Sequence, residues 1–243
     1  MPGFFFLVLL EALILSLDNF FQDMIHPHTE LRFINETIGY GVVALKPIPQ
    51  GTITWALDKL DRKFTPQEVR SMDTLYQEVL DKYTYRNSEG NHILCWDNAR
   101  FVNHSSHSNC MTTAYEFEIA IRDIEPGEEL TDDYGYLNLE EPFEVVPEPG
   151  SNRHIIYPDD LLRYYPEWDE KLLKSFPKIL NVDQPLFQLL EPSIRQKVKE
   201  IVSGKAKMDS ILSCYYQPGN VKSLNGYGHK NIALRSPRIS YPY

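Results

Sequence analysis

Two stretches decide how this chain is read: Arg100-Phe-Val-Asn-His-Ser105 and Gly127-Glu-Glu-Leu-Thr-Asp-Asp-Tyr-Gly135. Each sets polar or small residues where a buried β-protein wants apolar ones. Asn103, His104 and Ser105 follow directly on the strand-like Phe101-Val102, and Tyr134 sits between a carboxylate pair and a glycine, shortly after the Pro126-Gly127 turn. Upstream, Gly39-Tyr40-Gly41 is a place where backbone can approach a ligand without side chains in the way.

Around these stretches the pattern is one of short strands. Glu30 to Ile34 reads as a strand, and Asn35 to Gly41 as a turn into Val42-Val43-Ala44-Leu45. Thr52 to Leu57 follows as another strand after the Pro47–Gly51 turn cluster. Thr65-Pro66-Gln67-Glu68 opens a helix with a capping box. Val69, Met72, Leu75, Tyr76, Val79 and Leu80 then recur at helical spacing and predict one helix to about Lys82. Tyr83 to Tyr85 and His92 to Trp96 read as strands around a turn at 87–90, and Phe117 to Ile121 alternates as a half-buried strand does. From Pro158 the texture turns helical: Asp159–Tyr165, Pro166–Phe176, Gln184–Leu190 and Pro192–Val202 each read as a short helix. No Gly-x-Gly-x-x-Gly follows a strand, so the dinucleotide-binding fingerprint is absent.

Taken together and in this order, the three motifs resemble the SET domain, the fold of most protein-lysine methyltransferases. The resemblance covers roughly residues 24–145. It implies a mainly β fold with some α, a β-clip-like arrangement of short sheets around a pseudoknot core, followed by a helical C-terminal extension. The implied organisation is an apolar N-terminal extension over 1–23, the SET domain over 24–145, a helical extension over 146–204 and a basic, irregular tail over 205–243.

The resemblance also implies the chemistry: methyl transfer from S-adenosylmethionine to the side-chain amine of a protein lysine. Gly39, Tyr40 and Gly41 would lie against the methionine part of the cofactor. Asn103 and His104 would hold its amino-acid and adenine ends, and Phe143 would help cover it. Tyr134 is the implied catalytic tyrosine. Tyr136, with Tyr83 and Tyr85, would line the lysine channel. Aromatic walls suit that stem because they bury its methylenes and tolerate its cationic head. Read without the family, Gly39-Tyr40-Gly41 is an ordinary glycine turn, Asn103-His104 a polar strand end, and Tyr134 a core tyrosine with a satisfied hydroxyl.

The chain departs from the family in its cover. Ser106 stands where many members place a zinc-binding cysteine, and residues 143–152 contain no cysteine. No zinc is expected, and Phe143 with the following helices is expected to close the site instead. The two positions that commonly set the number of methyls are Thr112 and Asp132, neither aromatic, and the Asp132-Asp133 pair is a candidate for meeting a basic substrate.

Composition bounds the rest. With 42% hydrophobic and 24% charged residues the chain is of ordinary globular type. A net charge of −10 argues against general nucleic-acid binding and suits a basic, lysine-containing protein partner. That charge is uneven: Lys205, Lys207, Lys222, Lys230, Arg235 and Arg238 oppose only Asp209, so the net +5 beyond residue 204 leaves −15 for the rest. Three scattered cysteines, Cys95, Cys110 and Cys214, form no CxxC pair and fit a reducing cytoplasm. Phe4 to Leu17 is nearly continuous apolar sequence, short for a membrane span and without a basic segment before it. It reads as a buried or partner-binding helix, a weak anchor, or an extension ahead of a start at Met24, the reading favoured here. Two alternatives to the enzyme remain open in sequence: an inert SET-like module binding cofactor or a basic peptide, and a membrane-tethered interaction factor resting on residues 4–17.

Overall fold

The computed structural model describes residues 25–217. The expected extension over 1–23, the start at Met24 and the tail beyond 217 lie outside the described residues. Within them the chain forms several small sheets and few helices, the mixed architecture expected of a SET-type fold.

Strands β1 (Thr29–Asn35) and β2 (Gly39–Ala44) make an antiparallel hairpin. The Asn35 side chain closes its turn by accepting the Thr37 and Ile38 N–H groups at 2.9 Å. Gly39, at φ +82°, starts the return strand. Gly39-Tyr40-Gly41 is therefore ladder, not the turn its composition predicted, because the Asx turn is complete before Gly39.

Strands β3 (Ile53–Ala56), β4 (Arg62–Phe64), β5 (Thr84–Arg86) and β6 (His92–Leu94) come next in sequence. They are followed by β7 (Asn103–His104), β8 (Cys110–Thr112), β9 (Phe117–Ala120) and β10 (Thr131–Asp132). One sheet has the order β3-β9-β8 and another β4-β6-β5. The pair β7 and β10 is parallel, Asn103 opposite Thr131 and His104 opposite Asp132. This two-residue ladder puts the two deciding stretches side by side. Strands β11 (Phe143–Glu144) and β12 (Ile155–Ile156) form a last antiparallel pair across residue 145.

The predicted helix over 65–82 is two helices, α1 (Pro66–Ser71) and α2 (Thr74–Tyr83), broken at Met72-Asp73 where the backbone is extended. The capping box of Thr65 and Glu68 is formed. Asp73 begins the second helix, as short acidic residues prefer to do. Of the apolar stripe, only Leu80 is buried; Leu75 and Tyr76 are 63% and 60% exposed.

The two helices predicted on either side of Pro166 are one, α3 (Asp160–Ser175), which contains the proline. Proline removes a helix hydrogen bond, but Leu161, Trp168 and Leu172 lie on one buried face that spans it. Each such side chain contributes about 1.5–3 kcal/mol on burial, enough to carry the helix through. Gln184–Leu190 contains only a short 3-10 turn over Phe187–Leu189, whereas α4 (Pro192–Val202) forms as read. These C-terminal elements share one apolar core with Ile53, Met111, Phe117 and Ile119 of the β3-β9-β8 sheet. Gln184 also serves as backbone surrogate for β3. Its Oε1 accepts the Ile53 N–H at 2.8 Å, and its Nε2 donates to the Gly51 carbonyl at 2.7 Å.

Candidate active site

Tyr134 opens a 3-10 turn over Tyr134–Tyr136, capped by Asp133, whose carboxylate accepts the Gly135 N–H at 3.0 Å. The turn fixes both ends of the tyrosine. Its N–H donates to His104 Nδ1 at 3.1 Å, and its hydroxyl donates to the Val102 carbonyl at 2.7 Å. Because Nδ1 accepts, the hydrogen-bond network places the His104 proton on Nε2. That nitrogen is buried and has no hydrogen-bond partner among the described residues. Burial, followed by the effect of Arg153 against that of Asp133, lowers the His104 pKa and favours the neutral ring. Phe143 closes this corner, its ring centroid 5.9 Å from both His104 and Tyr134.

Asn103 joins the glycine stretch to the same place. Its Nδ2 donates to the Tyr40 carbonyl at 2.9 Å and to Glu129 Oε1 at 2.6 Å. Gly41 is needed for close approach: a Cβ there would lie 2.2 Å from Glu129 Oε1 and 2.9 Å from Ile34 Cγ1. Tyr40, Gly41 and Asn103 thus meet around Glu129, next to the His104–Phe143 contact, and these form the candidate cradle; Gly39 begins the same strand, and the Tyr40 ring is directed outward against Phe33.

Beside the cradle is a cavity of about 100 Å³. Tyr134, Tyr83, Tyr85 and Trp55 supply its aromatic lining, and Asp81, Lys82, Arg100, Glu118 and Asp132 its charged groups. Tyr83 and Tyr85 reach it as alternate residues where α2 runs into β5, braced edge-on by Phe101 and Trp55 respectively. Burial pushes the Tyr85 phenol well above its ordinary pKa. Tyr136 is placed elsewhere. It is 1% exposed, packed edge-on against Trp168, with its hydroxyl accepting the Asp133 N–H and donating to Asp132 Oδ1. The channel role implied for Tyr136 is therefore corrected to a core position: at three residues per turn, a step of two residues carries the second ring to a different face of the 3-10 turn.

Asp132 and Asp133, read as a pair, face different ways. Asp132 lines the cavity, whereas Asp133 is paired with Arg153, which also reaches Asp160 Oδ2 at 2.8 Å. Where other members of the resemblance carry cysteines, Glu148 accepts the Ser106 N–H at 2.7 Å, and the Pro149 carbonyl lies 3.0 Å from His107 Nε2. Among the described residues no three His, Cys, Asp or Glu side chains gather as metal ligands, and no helix is long and apolar enough to cross a membrane.

Sequence reasoning missed Trp55, Glu118, Arg100 and Arg153. For Glu118 the signal was present but misassigned: alternation in Phe117–Ile121 sets it opposite the core, and that face is cavity instead of water.

Residues 39–135 match the family model described as SET domain. The match begins at the glycine stretch and ends at the residue after Tyr134. No curated protein matches the chain.

Proposed function

We propose that this SET-domain protein transfers a methyl group from S-adenosylmethionine to the side-chain amine of a lysine in a protein substrate. The observation that carries the reading is the position of Tyr134, which belongs at once to the cradle, through His104 and Phe143, and to the aromatic cavity.

The residues present fit the cofactor. The unpartnered, buried Nε2 of His104 is a donor in want of an acceptor, such as a ring nitrogen of adenine. The Tyr40 carbonyl and the Glu129 carboxylate, gathered by Asn103, offer acceptors to an amino-acid ammonium. Gly41 keeps that approach open, and Phe143 excludes water from the His104–Tyr134 corner. When bound, the cofactor supplies a methyl on a cationic sulfonium.

The cavity suits the substrate side chain. At 10–15 Å³ per water-sized group, about 100 Å³ admits on the order of seven to ten such groups, which accommodates four methylenes and a nitrogen. Tyr83, Tyr85 and Trp55 would clasp the stem. The Tyr134 hydroxyl, oriented by the Val102 carbonyl, would stabilise positive charge moving between sulfur and nitrogen. Positioning and desolvation would supply most of the rate.

In this reading the SET unit spans about 24–145, and residues 146–204 brace it through the shared core. A knot-like threading of the two stretches is supported by the parallel β7–β10 pairing. The acidic body favours a basic target segment, and free thiols at Cys95, Cys110 and Cys214 favour a cytoplasmic setting.

The test is incubation with methyl-labelled S-adenosylmethionine and lysine-rich protein mixtures. Label should reach lysine, and Tyr134→Phe should abolish transfer while leaving cofactor binding by calorimetry within a few-fold. Tight cofactor binding by the wild-type protein with no transfer to any mixture would refute the reading in favour of an inert binding module.

A further inference from the structure

Strand β9 turns Phe117 and Ile119 into the core and Glu118 toward the opposite face, across from Trp55 in the β3–β9 register. Glu118 and Trp55 both line the Tyr134 cavity, and Asp132 lines it too. The Glu118 and Asp132 carboxyl groups hydrogen-bond each other, and Asp132 Oδ1 accepts the Tyr136 hydroxyl at 2.8 Å. Asp132 is 4% exposed and Glu118 half-buried.

Two carboxylates in contact do not both ionise readily. Burial first, then the Asp132 charge and hydrogen bond, pushes Glu118 well above the usual carboxylate range, and burial raises Asp132 as well. With one proton shared between the two carboxyls, the pair carries a single negative charge. The groups facing it are Tyr136 and Asp133 from the tyrosine motif, Cys110 from β8, Tyr85 from β5, and Cys95 and Asp97 just beyond β6. None of these is a cation. Among the described residues neither Glu118 nor Asp132 forms an ion pair.

The cations of the cavity wall, Arg100 and Lys82, form no ion pair with Glu118 or Asp132. Arg100 Nη1 donates to the Trp96 and Asp97 carbonyls at 2.7 and 2.9 Å, and Lys82 Nζ lies 5.0 Å over the Tyr83 ring. A negative charge with no ion-pair partner among the described residues, walled by aromatic rings, suits an alkylammonium.

We infer that Glu118 and Asp132 together receive the cationic head of the substrate side chain and take up its proton before the methyl moves. This rests on the lysine-transfer reading and adds to it the step that the tyrosine does not supply. One N–H bond of the ammonium breaks, and its electron pair remains on nitrogen as the attacking lone pair. The proton forms an O–H bond on the pair, which passes from one shared proton to two neutral carboxyls. That proton returns to water after the product leaves. The cavity thereby also selects an ammonium over a neutral amide or alcohol of similar size.

The direct test is binding, independent of turnover. In protein labelled with ¹⁵N-tryptophan, the Trp55 indole resonance is followed during titration with n-butylammonium and, separately, n-butanol. Wild-type protein should prefer the ammonium at least tenfold, and Glu118→Gln should remove the preference, as should Asp132→Asn, each variant being checked for native melting. The kinetic test is the pH profile of transfer. Glu118→Gln should lose about 100-fold at neutral pH, the scale of one acid–base group, and recover as pH approaches the ordinary lysine value of about 10.4; Tyr134→Phe should not recover. A wild-type ammonium preference retained in both folded carboxyl variants overturns the inference, as does an unchanged pH profile. Pair-dependent ammonium binding without transfer to any protein would sustain the receptor and sink the lysine-transfer reading instead.

Discussion

Replacing Arg153 by methionine should unfold this protein far more easily than its distance from the cavity suggests. The guanidinium bridges Asp133 and Asp160, which are 2% and 1% exposed, and lies 4.8 Å over the Tyr164 ring. Burial raises the Asp160 pKa even with Arg153 beside it, so that carboxylate is already held at a cost. Taking away one partner of a buried ion pair costs about 3–5 kcal/mol, because the remaining charge stays desolvated. At about 2–4 °C per kcal/mol for a chain of this size, Tm should fall by roughly 6–20 °C. The deficit should shrink on acidification, since burial makes Asp160 easier to protonate and its protonation removes a charge that Arg153 neutralised. Urea unfolding of wild type, Arg153→Met and Arg153→Met/Asp133→Asn/Asp160→Asn at pH 5 and pH 8 measures this. The triple variant should recover much of the loss. A single variant within about 1 kcal/mol of wild type at pH 8, or a triple variant that recovers none of the loss, would show that the triad is not an electrostatic clamp.

Three further outcomes follow from the geometry. Burial, then the charge of His28, lowers the His26 pKa to about 4; its stabilising share is complete above the unfolded value of about 6.5 and is lost as pH falls toward 4. Unfolding free energies across that window should drop by up to about 3 kcal/mol from this group, and His26→Asn should flatten the slope. Gly41→Ala drives a Cβ into Glu129 Oε1; calorimetry should find cofactor affinity at least tenfold weaker, and unaltered affinity would remove Glu129 and Asn103 from the cradle. Trp168→Ala empties a site 3% exposed against Tyr136 and should cost about 3–5 kcal/mol in denaturant unfolding.

The motifs were legible because their chemistry is local. A capping box needs only Thr65 and Glu68, and it forms. Glycine at 41 and polar residues at 103–104 violate the expectations of a strand, and such violations mark ligand sites. What stayed hidden was set by tertiary packing. Leu75, Tyr76 and Val79 carry the spacing of a buried helix face yet are exposed, since periodicity states which residues share a face and not what covers it. Pro166 read as a helix boundary because only the core shared by Leu161, Trp168 and Leu172 outweighs its missing N–H. Glu118 looked solvated because strand alternation distinguishes two faces and cannot tell water from a cavity. Arg153 gave no signal at all, its partners being fixed by how the chain returns over the tyrosine motif.

The Gln184 amide completes the border of a sheet. A border strand with open N–H and C=O groups invites a neighbouring molecule to add its own strand. On β3 those groups are occupied from within: Ile53 and Gly51 by Gln184, and the Thr54 carbonyl by the His26 N–H at 2.7 Å. A glutamine far along the chain thus closes this border from within the fold. Substituting it with leucine would leave the buried Ile53 amide and Gly51 carbonyl without partners, at about 1–3 kcal/mol each.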